Sequence, residues 1–441
     1  MAQDQRFPTP FTRRRFLQYT GSMVAGSSLL AACAGGGNPA TQTGSTGSTN
    51  LPTLQQWYHE YGEAGTHQAV LKYAKEYTKA NINVGWFPGT GNDYPNKVNA
   101  ALLTSNPPDV FELPGPTLAQ VKAGTIEPLD DIIADVKSDF TPVSLKPLTI
   151  NGKIYAIKMI NDTQMIYYRK SLMDKAGIQP PTTIDDLITA SKKLANGNMK
   201  GLYIGQDGGP AALSYIMGWA AGGDFLSDDN KVTFNTDAVA GAYEKLKELN
   251  ANGNILKDAP TYWWDPSAFT QGLCAMQWCG LWAMPGIVKA LGDDFGVIPF
   301  PAIGAQGKQA TVLGGWAEMV AAKGKNVQAA KDFVKWLWID NATDEIDWNV
   351  GYGFHVPPRL SIAAKTDKLK TGQAALAVTN LNTYGHSLSP LWDPAMDTAL
   401  TTAVSNILKN NANPATELKT AADKCNTSCR AFSPKTGLAF A

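Results

Sequence analysis

Thr53-Leu54-Gln55-Gln56-Trp57-Tyr58 and Ile82-Asn83-Val84-Gly85-Trp86-Phe87 flank a segment, Thr66 to Asn81, whose apolar residues recur at helical spacing. Val70, Tyr73, Ala74 and Tyr77 fall on one face of it, which predicts an amphipathic helix between two strands. Asp93 to Thr104 predicts a second helix. Pro107-Pro108 ends it, because proline lacks an amide donor, and Asp109 to Leu113 reads as a short strand. A β-α-β-α-β order implies parallel strands with crossover helices, hence an α/β fold. Such sheets carry ligands on loops beyond the carboxyl ends of their strands. The loops Glu60–Gly65 and Glu112–Thr117 are therefore expected site walls.

The pattern continues outward. A hairpin-like pair is expected around Asn151-Gly152, and a strand at Met165 to Tyr168. Thr183-x-x-Asp186 resembles a capping box and opens a helix through Leu194. Lys200 to Ile204 reads as a strand, Leu213 to Ala221 and Thr236 to Ala251 as helices. Val312 to Ala322 reads as one strand, Val327 to Ile339 as a helix, and the final third as mostly helical.

The chain has 441 residues, 44% of them hydrophobic, with 38 Lys+Arg against 38 Asp+Glu. The balance argues against nucleic acid as a partner, which calls for a basic excess. No apolar run reaches the roughly 18–20 residues of a spanning helix. The length exceeds the ~250–300 residues that one core organises, so two lobes are expected. Twelve Trp supply flat faces suited to ring-shaped ligands, though most belong in cores.

Thr12-Arg13-Arg14-Arg15-Phe16-Leu17-Gln18 resembles a twin-arginine export signal, and Leu30-Ala31-Ala32-Cys33 resembles a lipobox. Residues 1–32 are read as a signal peptide and Cys33 as the lipidated first residue of the mature chain. Removing that leader, with its four Arg and one Asp, leaves 34 basic and 37 acidic residues, a net of −3. Residues 33–50 read as a flexible tether, rich in Gly, Ser and Thr and without charge. Its reach is roughly 20–25 Å. Cys274 and Cys279 lie on an expected strand, roughly 16 Å apart and beyond bridging. Cys425 and Cys429 lie four apart near a helix end, which leaves a bridge open.

No H-E-x-x-H pair, C-x-x-C pair, phosphate loop, G-x-G-x-x-G or G-x-S-x-G occurs. No metal and no cofactor are expected. A glycoside hydrolase remains the enzymatic alternative, because its two carboxylates have no fixed spacing.

Several motifs resemble, in order, the maltose-binding-like group (family 1) of sugar-binding lipoproteins, extracellular solute-binding proteins of ABC importers. They include Trp57-Tyr58, Asp93-Tyr94-x-x-Lys97, Asn106-Pro107-Pro108-Asp109-Val110-Phe111 and Asn151-Gly152-Lys153-Ile154-Tyr155-Ala156-Ile157. Tyr167 to Ile178, Gln271 to Met276 with Gly280-Leu281-Trp282, and Ala329 to Leu337 complete the set. Lys158 stands where the family commonly has Pro, and Cys279 at a usually polar position. The resemblance implies a two-lobed periplasmic-binding-protein-like fold (type II), with a ligand cleft between lobes joined by hinge strands. Residues 51–160 plus 317–357 are expected to form lobe 1, and 161–316 plus 358–430 lobe 2. The resemblance also implies a monomer that closes on a saccharide and delivers it to the permease transmembrane subunits of an ABC importer, with no chemistry of its own. It would be extracytoplasmic, held at the membrane by the lipid.

Aligned motif to motif, Asp162 falls where the family uses a carboxylate against sugar hydroxyls, and Trp282 on its cleft-wall Trp. Trp316 follows Gly314-Gly315, and Gly315 permits close backbone approach of a ligand. Trp278 has two readings, wall or core. One of His59, Glu60 and Tyr61 is expected to touch ligand, the sequence not choosing among them. Glu112, Asp207 and Trp392 complete the expected walls, and the loop Tyr352, Gly353 and His355 is a further candidate. Acids and aromatics with few Lys or Arg favour an uncharged saccharide. A cationic ligand, a polyamine or quaternary amine, would also fit through cation–π attraction. A glycerol-phosphate-type ligand is the remaining alternative within the fold.

Overall fold

In strand β1 (Thr53–His59) Leu54, Gln56 and Tyr58 are buried, while Gln55, Trp57 and His59 point to the other face and are half-buried. The computed structural model describes residues 51–88, 93–227 and 229–431. Residues 1–32, Cys33 and the tether 33–50 lie outside the described residues. After β1 the chain forms helix α1 (Thr66–Glu76), β2 (Asn81–Phe87), α2 (Asp93–Leu102) and β3 (Val110–Leu113). β4 (Ile157–Lys158), β5 (Gln164–Tyr168), α3 (Ile184–Leu194), β6 (Lys200–Tyr203) and α4 (Pro210–Ala220) follow. Then come α5 (Asp237–Ala251), β7 (Ile255–Leu256), β8 (Cys274–Gly280), β9 (Gly296–Ile298) and β10 (Ala317–Val320). Later elements are mostly helical, ending in α6 (Pro394–Lys409) and α7 (Pro414–Ala431).

Two five-stranded sheets result, ordered β2-β1-β3-β10-β4 and β9-β5-β8-β6-β7. β1 pairs in parallel with β2 along its whole length, from Thr53↔Asn81 to His59↔Phe87, and with β3 at Gln56↔Val110 and Trp57↔Phe111. The expected parallel β-α-β-α-β unit is therefore present. β10 enters antiparallel between β3 and β4, with Ala317 opposite both Leu113 and Lys158. The carboxyl ends of β1 and β3 and the start of β10 thus share one end of the first sheet. In the second sheet Gly280 pairs with Gln164, so β8 ends beside the start of β5. The box Thr183–Asp186 is formed reciprocally, with Asp186 N donating to Thr183 Oγ1 at 3.2 Å and Thr183 N to Asp186 Oδ2 at 3.0 Å. A cap of this kind contributes about 0.5–2 kcal/mol.

Three segments carry the chain between the sheets and lie side by side. Met159 N donates to Trp316 O at 3.0 Å. Asp162 and Gly314 exchange backbone hydrogen bonds at 3.3 and 2.9 Å, and Asn161 and Val356 at 2.8 and 3.0 Å. The fold is two-lobed, with these segments as hinge strands. Leu391, from the loop before α6, packs against apolar clusters of both sheets.

Val312 to Ala322 is not one strand, as expected, but two short ones, Thr311–Val312 and Ala317–Val320. The break is at Gly315, whose φ of +101° favours glycine, and where a Cβ would stand 2.2 Å from Ile160 O. The helix expected through Ile339 widens to π geometry over Trp336–Asp340. Cys274 and Cys279 are buried on β8, and both they and Cys425 and Cys429 are free thiols, so the bridge left open by the spacing is not formed. No helix among the described residues is long and apolar enough to cross a membrane.

Gly315→Ala is expected to lower the unfolding free energy by about 1–3 kcal/mol, read from urea denaturation followed by Trp fluorescence. Gly286→Ala, at a helical position with open space around a Cβ, should stay within about 1 kcal/mol of wild type.

Candidate functional site: the hinge-facing ends of the two sheets

His59 ends β1 with its ring between two aromatics. It stacks on Trp316 at 3.9 Å between centroids, with planes 22° apart, and lies 3.9 Å from Tyr61. Glu112 fixes it: one oxygen accepts from His59 N at 2.9 Å and lies 2.5 Å from His59 Nδ1, and the other accepts from Tyr61 Oη at 2.6 Å. Glu112 is fully buried. Both its oxygens are committed inside the protein, so it positions His59 instead of facing ligand as expected. Glu60 is exposed at the rim.

Trp316 is half-buried, with one face covered by His59. Trp282 is half-buried too, and follows the end of β8, where Leu281 N donates to Thr163 O at 3.0 Å. The backbones beside these two indoles are therefore tied to the same crossing segment, 159–163, one toward each end. Trp282 Nε1 donates to Trp264 O at 3.0 Å, which holds its ring beside Tyr262-Trp263-Trp264. Tyr262 and Trp264 stack 5.5 Å apart and are 46% and 36% exposed. That exposed pair was not among the expected residues. Three consecutive aromatics between Pro260 and Pro266 were the available signal, since a loop rarely holds so much apolar surface without a use.

Three expected residues belong elsewhere. Trp278 is at 0% exposure in the second core, edge-on to Phe300, with Nε1 donating to Gln164 Oε1. All seven residues of β8 are buried, so neither face of that strand is a wall. Trp392 is buried against Tyr215, Phe225 and Phe234. Asp207 lies at the correct end of β6, but its carboxylate accepts from Gly209 N at 3.0 Å and Ala211 N at 2.9 Å. It satisfies amides at the start of α4 that lack helical acceptors.

Asp162 and His355 meet at the hinge. His355 Nδ1 lies 2.6 Å from Asp162 Oδ1, and its Nε2 lies 2.8 Å from Glu63 Oε1. Burial alone would lower the imidazole pKa. The charge of Asp162 and the hydrogen bonds to Asp162 and Glu63 outweigh it and raise the value to about 10. His355 is therefore an imidazolium at neutral pH. Burial pushes the Glu63 carboxyl up, but its hydrogen bond to His355 leaves it below its usual value. Asp162 Oδ2 has no hydrogen-bond partner among the described residues and remains an acceptor. Two surface recesses, of about 470 Å³ beside Asn106 and Lys323 and about 600 Å³ beside Gly222 and Gln306, contain none of these side chains.

The His355 pKa is raised on folding from an unfolded value of about 6.5. Its contribution is fully present below about pH 6.5 and is lost as pH rises through about 10. His355→Ala leaves two carboxylates without their cation and should cost about 3–5 kcal/mol at pH 6.5. Urea unfolding from pH 6 to 10 should show the gap between wild type and variant narrowing as pH rises.

Residues 68–377 match the family described as bacterial extracellular solute-binding protein. The chain is 26% identical over 323 residues to the diacetylchitobiose binding protein DasA of Streptomyces coelicolor, spanning 69% of this chain and 74% of that one. It is 24% identical over 410 residues to the galactooligosaccharide-binding protein of Bacillus subtilis, spanning 87% and 90%. Among solved structures, the GacH receptor of Streptomyces glaucescens, known unliganded and with acarbose, matches with a TM-score of 0.73 at 25% identity, over 86% of this chain and 99% of the receptor. With more than half its length matched by the family and its two-lobed fold shared, the chain belongs to the bacterial extracellular solute-binding proteins, and its work is binding, not catalysis.

Proposed function

We propose that this protein captures a mono- or oligosaccharide between its lobes and delivers it to the permease subunits of an ABC importer. The observation that carries the reading is the pair of half-exposed indoles, Trp282 and Trp316, tied through their neighbours to one crossing segment that also bears Asp162. An indole face fits the C–H face of a pyranose, and the open oxygen of Asp162 accepts a ligand hydroxyl more strongly than a neutral acceptor does. The hydrogen bond from Trp282 to Trp264 fixes its ring in advance, which lowers the ordering cost of binding. The names of the similar proteins from Streptomyces coelicolor and Bacillus subtilis support the same ligand class. In this reading lobe 1 is 51–160 plus 317–357, lobe 2 is 161–316 plus 358–430, and closure is a hinge bend about the crossing segments. The protein acts as an extracytoplasmic monomer on a tether from lipidated Cys33, exported through its twin-arginine leader.

Titration against a saccharide panel, followed by Trp fluorescence, tests this. At 100 times its dissociation constant the cognate saccharide should stabilise the fold by about 2.7 kcal/mol. Trp282→Ala should weaken it at least tenfold, about 1.4 kcal/mol, with the fold intact. Unchanged affinity in that variant would remove Trp282 from the site.

A further inference from the structure

Lys158 stands on β4 opposite Ala317, the residue after Trp316, and Ala317 in turn stands opposite Leu113 at the end of β3. Cross-strand partners share a face, so the Lys158 side chain rises beside Leu113 and Ala317 at the hinge-facing end of the first sheet. Both neighbours belong to an apolar cluster that Trp316 and, from the loop before α6, Leu391 pack against. Lys158 is only 4% exposed. Its ammonium has no hydrogen bond among the described residues and no carboxylate within ion-pair distance. Nor is Nζ among the unpaired polar atoms sealed from solvent, which belong to other residues.

The surrounding acids each have a partner, although Asp162 keeps one oxygen open. Glu112 is held by His59 and Tyr61, and Asp162 and Glu63 share His355. Glu318 lies on the opposite face of β10, bonded to Gln56 and Trp338. Of the buried ionic groups at this end, Lys158 is the one without a partner. Burial lowers its pKa to about 8, with the charge of Asp162 opposing, so it is mostly protonated at neutral pH. An ammonium this buried, with only residual contact with solvent, is poorly hydrated and unfavourable unless an acceptor reaches it. Methionine would fill the same space without that penalty.

We propose that Lys158 binds a negative group on the ligand, so that the cleft takes a saccharide bearing an acidic substituent, a uronate carboxylate or a phosphate ester. The proposal rests on the saccharide reading above, narrows it, and replaces the uncharged ligand expected from the scarcity of Lys and Arg. A carboxylate or phosphate entering between the lobes would meet Lys158 beside the Trp316 ring, supplying the charge-assisted hydrogen bonds that the protein does not.

The test is a calorimetric titration of the full chain against glucose, galactose and mannose, each paired with its uronate and its 6-phosphate. In wild type the acidic member of at least one pair should bind at least tenfold more tightly than the neutral one, and the two acidic arms tell carboxylate from phosphate. Lys158→Met should bring that pair within about threefold, while Lys158→Arg keeps the preference. Lys158→Met should also melt no lower than wild type, which separates lost recognition from lost folding. Neutral sugars binding as tightly as acidic ones, or a preference that survives Lys158→Met, overturns the anionic group and leaves the saccharide reading standing. Silence toward every neutral and acidic sugar overturns both.

Discussion

An imidazolium held between two carboxylates is the constraint on which the rest of this structure depends. Glu63 comes from the loop after β1, Asp162 from the first crossing segment and His355 from the third. The backbone beside them is stitched by Asn161 to Val356 and by Asp162 to Gly314. The ion cluster therefore joins segments 99 to 292 residues apart in sequence at the place where the lobes meet. Buried ion pairs of this kind add little net stability over apolar packing, but removing one member is severe, so their effect is to specify one arrangement. Here that arrangement sets the side-by-side order of the crossing segments and leaves one oxygen of Asp162 open.

The same economy of groups runs through the site. Carboxylates that would serve a hydroxyl-rich ligand are largely spent on orienting the protein's own side chains. Glu112 sets the His59 ring, which in turn covers one face of Trp316, while Tyr94 stands edge-on to the same indole. Trp282 is held from behind by a main-chain carbonyl of the aromatic loop. In the proposed reading the binding surface is built of indoles with fixed planes, Trp316 backed by a stacked imidazole and Trp282 by a hydrogen bond to main chain.

The parallel unit from Thr53 to Leu113 was legible because its helices show one apolar face and its breaks are marked by proline. So was the capping box at Thr183. The strand break at Gly315 was not, since the apolar run continues across it and only the approach of Ile160 O demands glycine. Among the tryptophans, position after a strand was informative and position within one was not. Trp282 follows β8 and is half-exposed, whereas Trp278 lies inside a strand buried on both faces, where alternation carries no signal. Trp392 is enclosed by Phe225 and Phe234, far away in sequence, and nothing local announces that. His355 was legible only as part of a candidate loop, because its partners lie on two distant segments. Lys158 stood out as a departure from a pattern, but its isolation became visible only once every nearby acid had a partner.

β10 occupies an interior position of the first sheet, between β3 and β4, although the whole second sheet precedes it in the chain. A nascent chain that has emerged only as far as residue 310 must therefore carry an open edge on β3, and a β4 that lacks its one sheet neighbour. Such edges are templates for wrong pairing. The amino-terminal half cannot mature ahead of the rest, and the sheet is completed only when the late strand β10 pairs with β3 and ties β4 to it. Assembly is thus tied to long-range closure, which makes it slow and leaves the incomplete chain in need of protection.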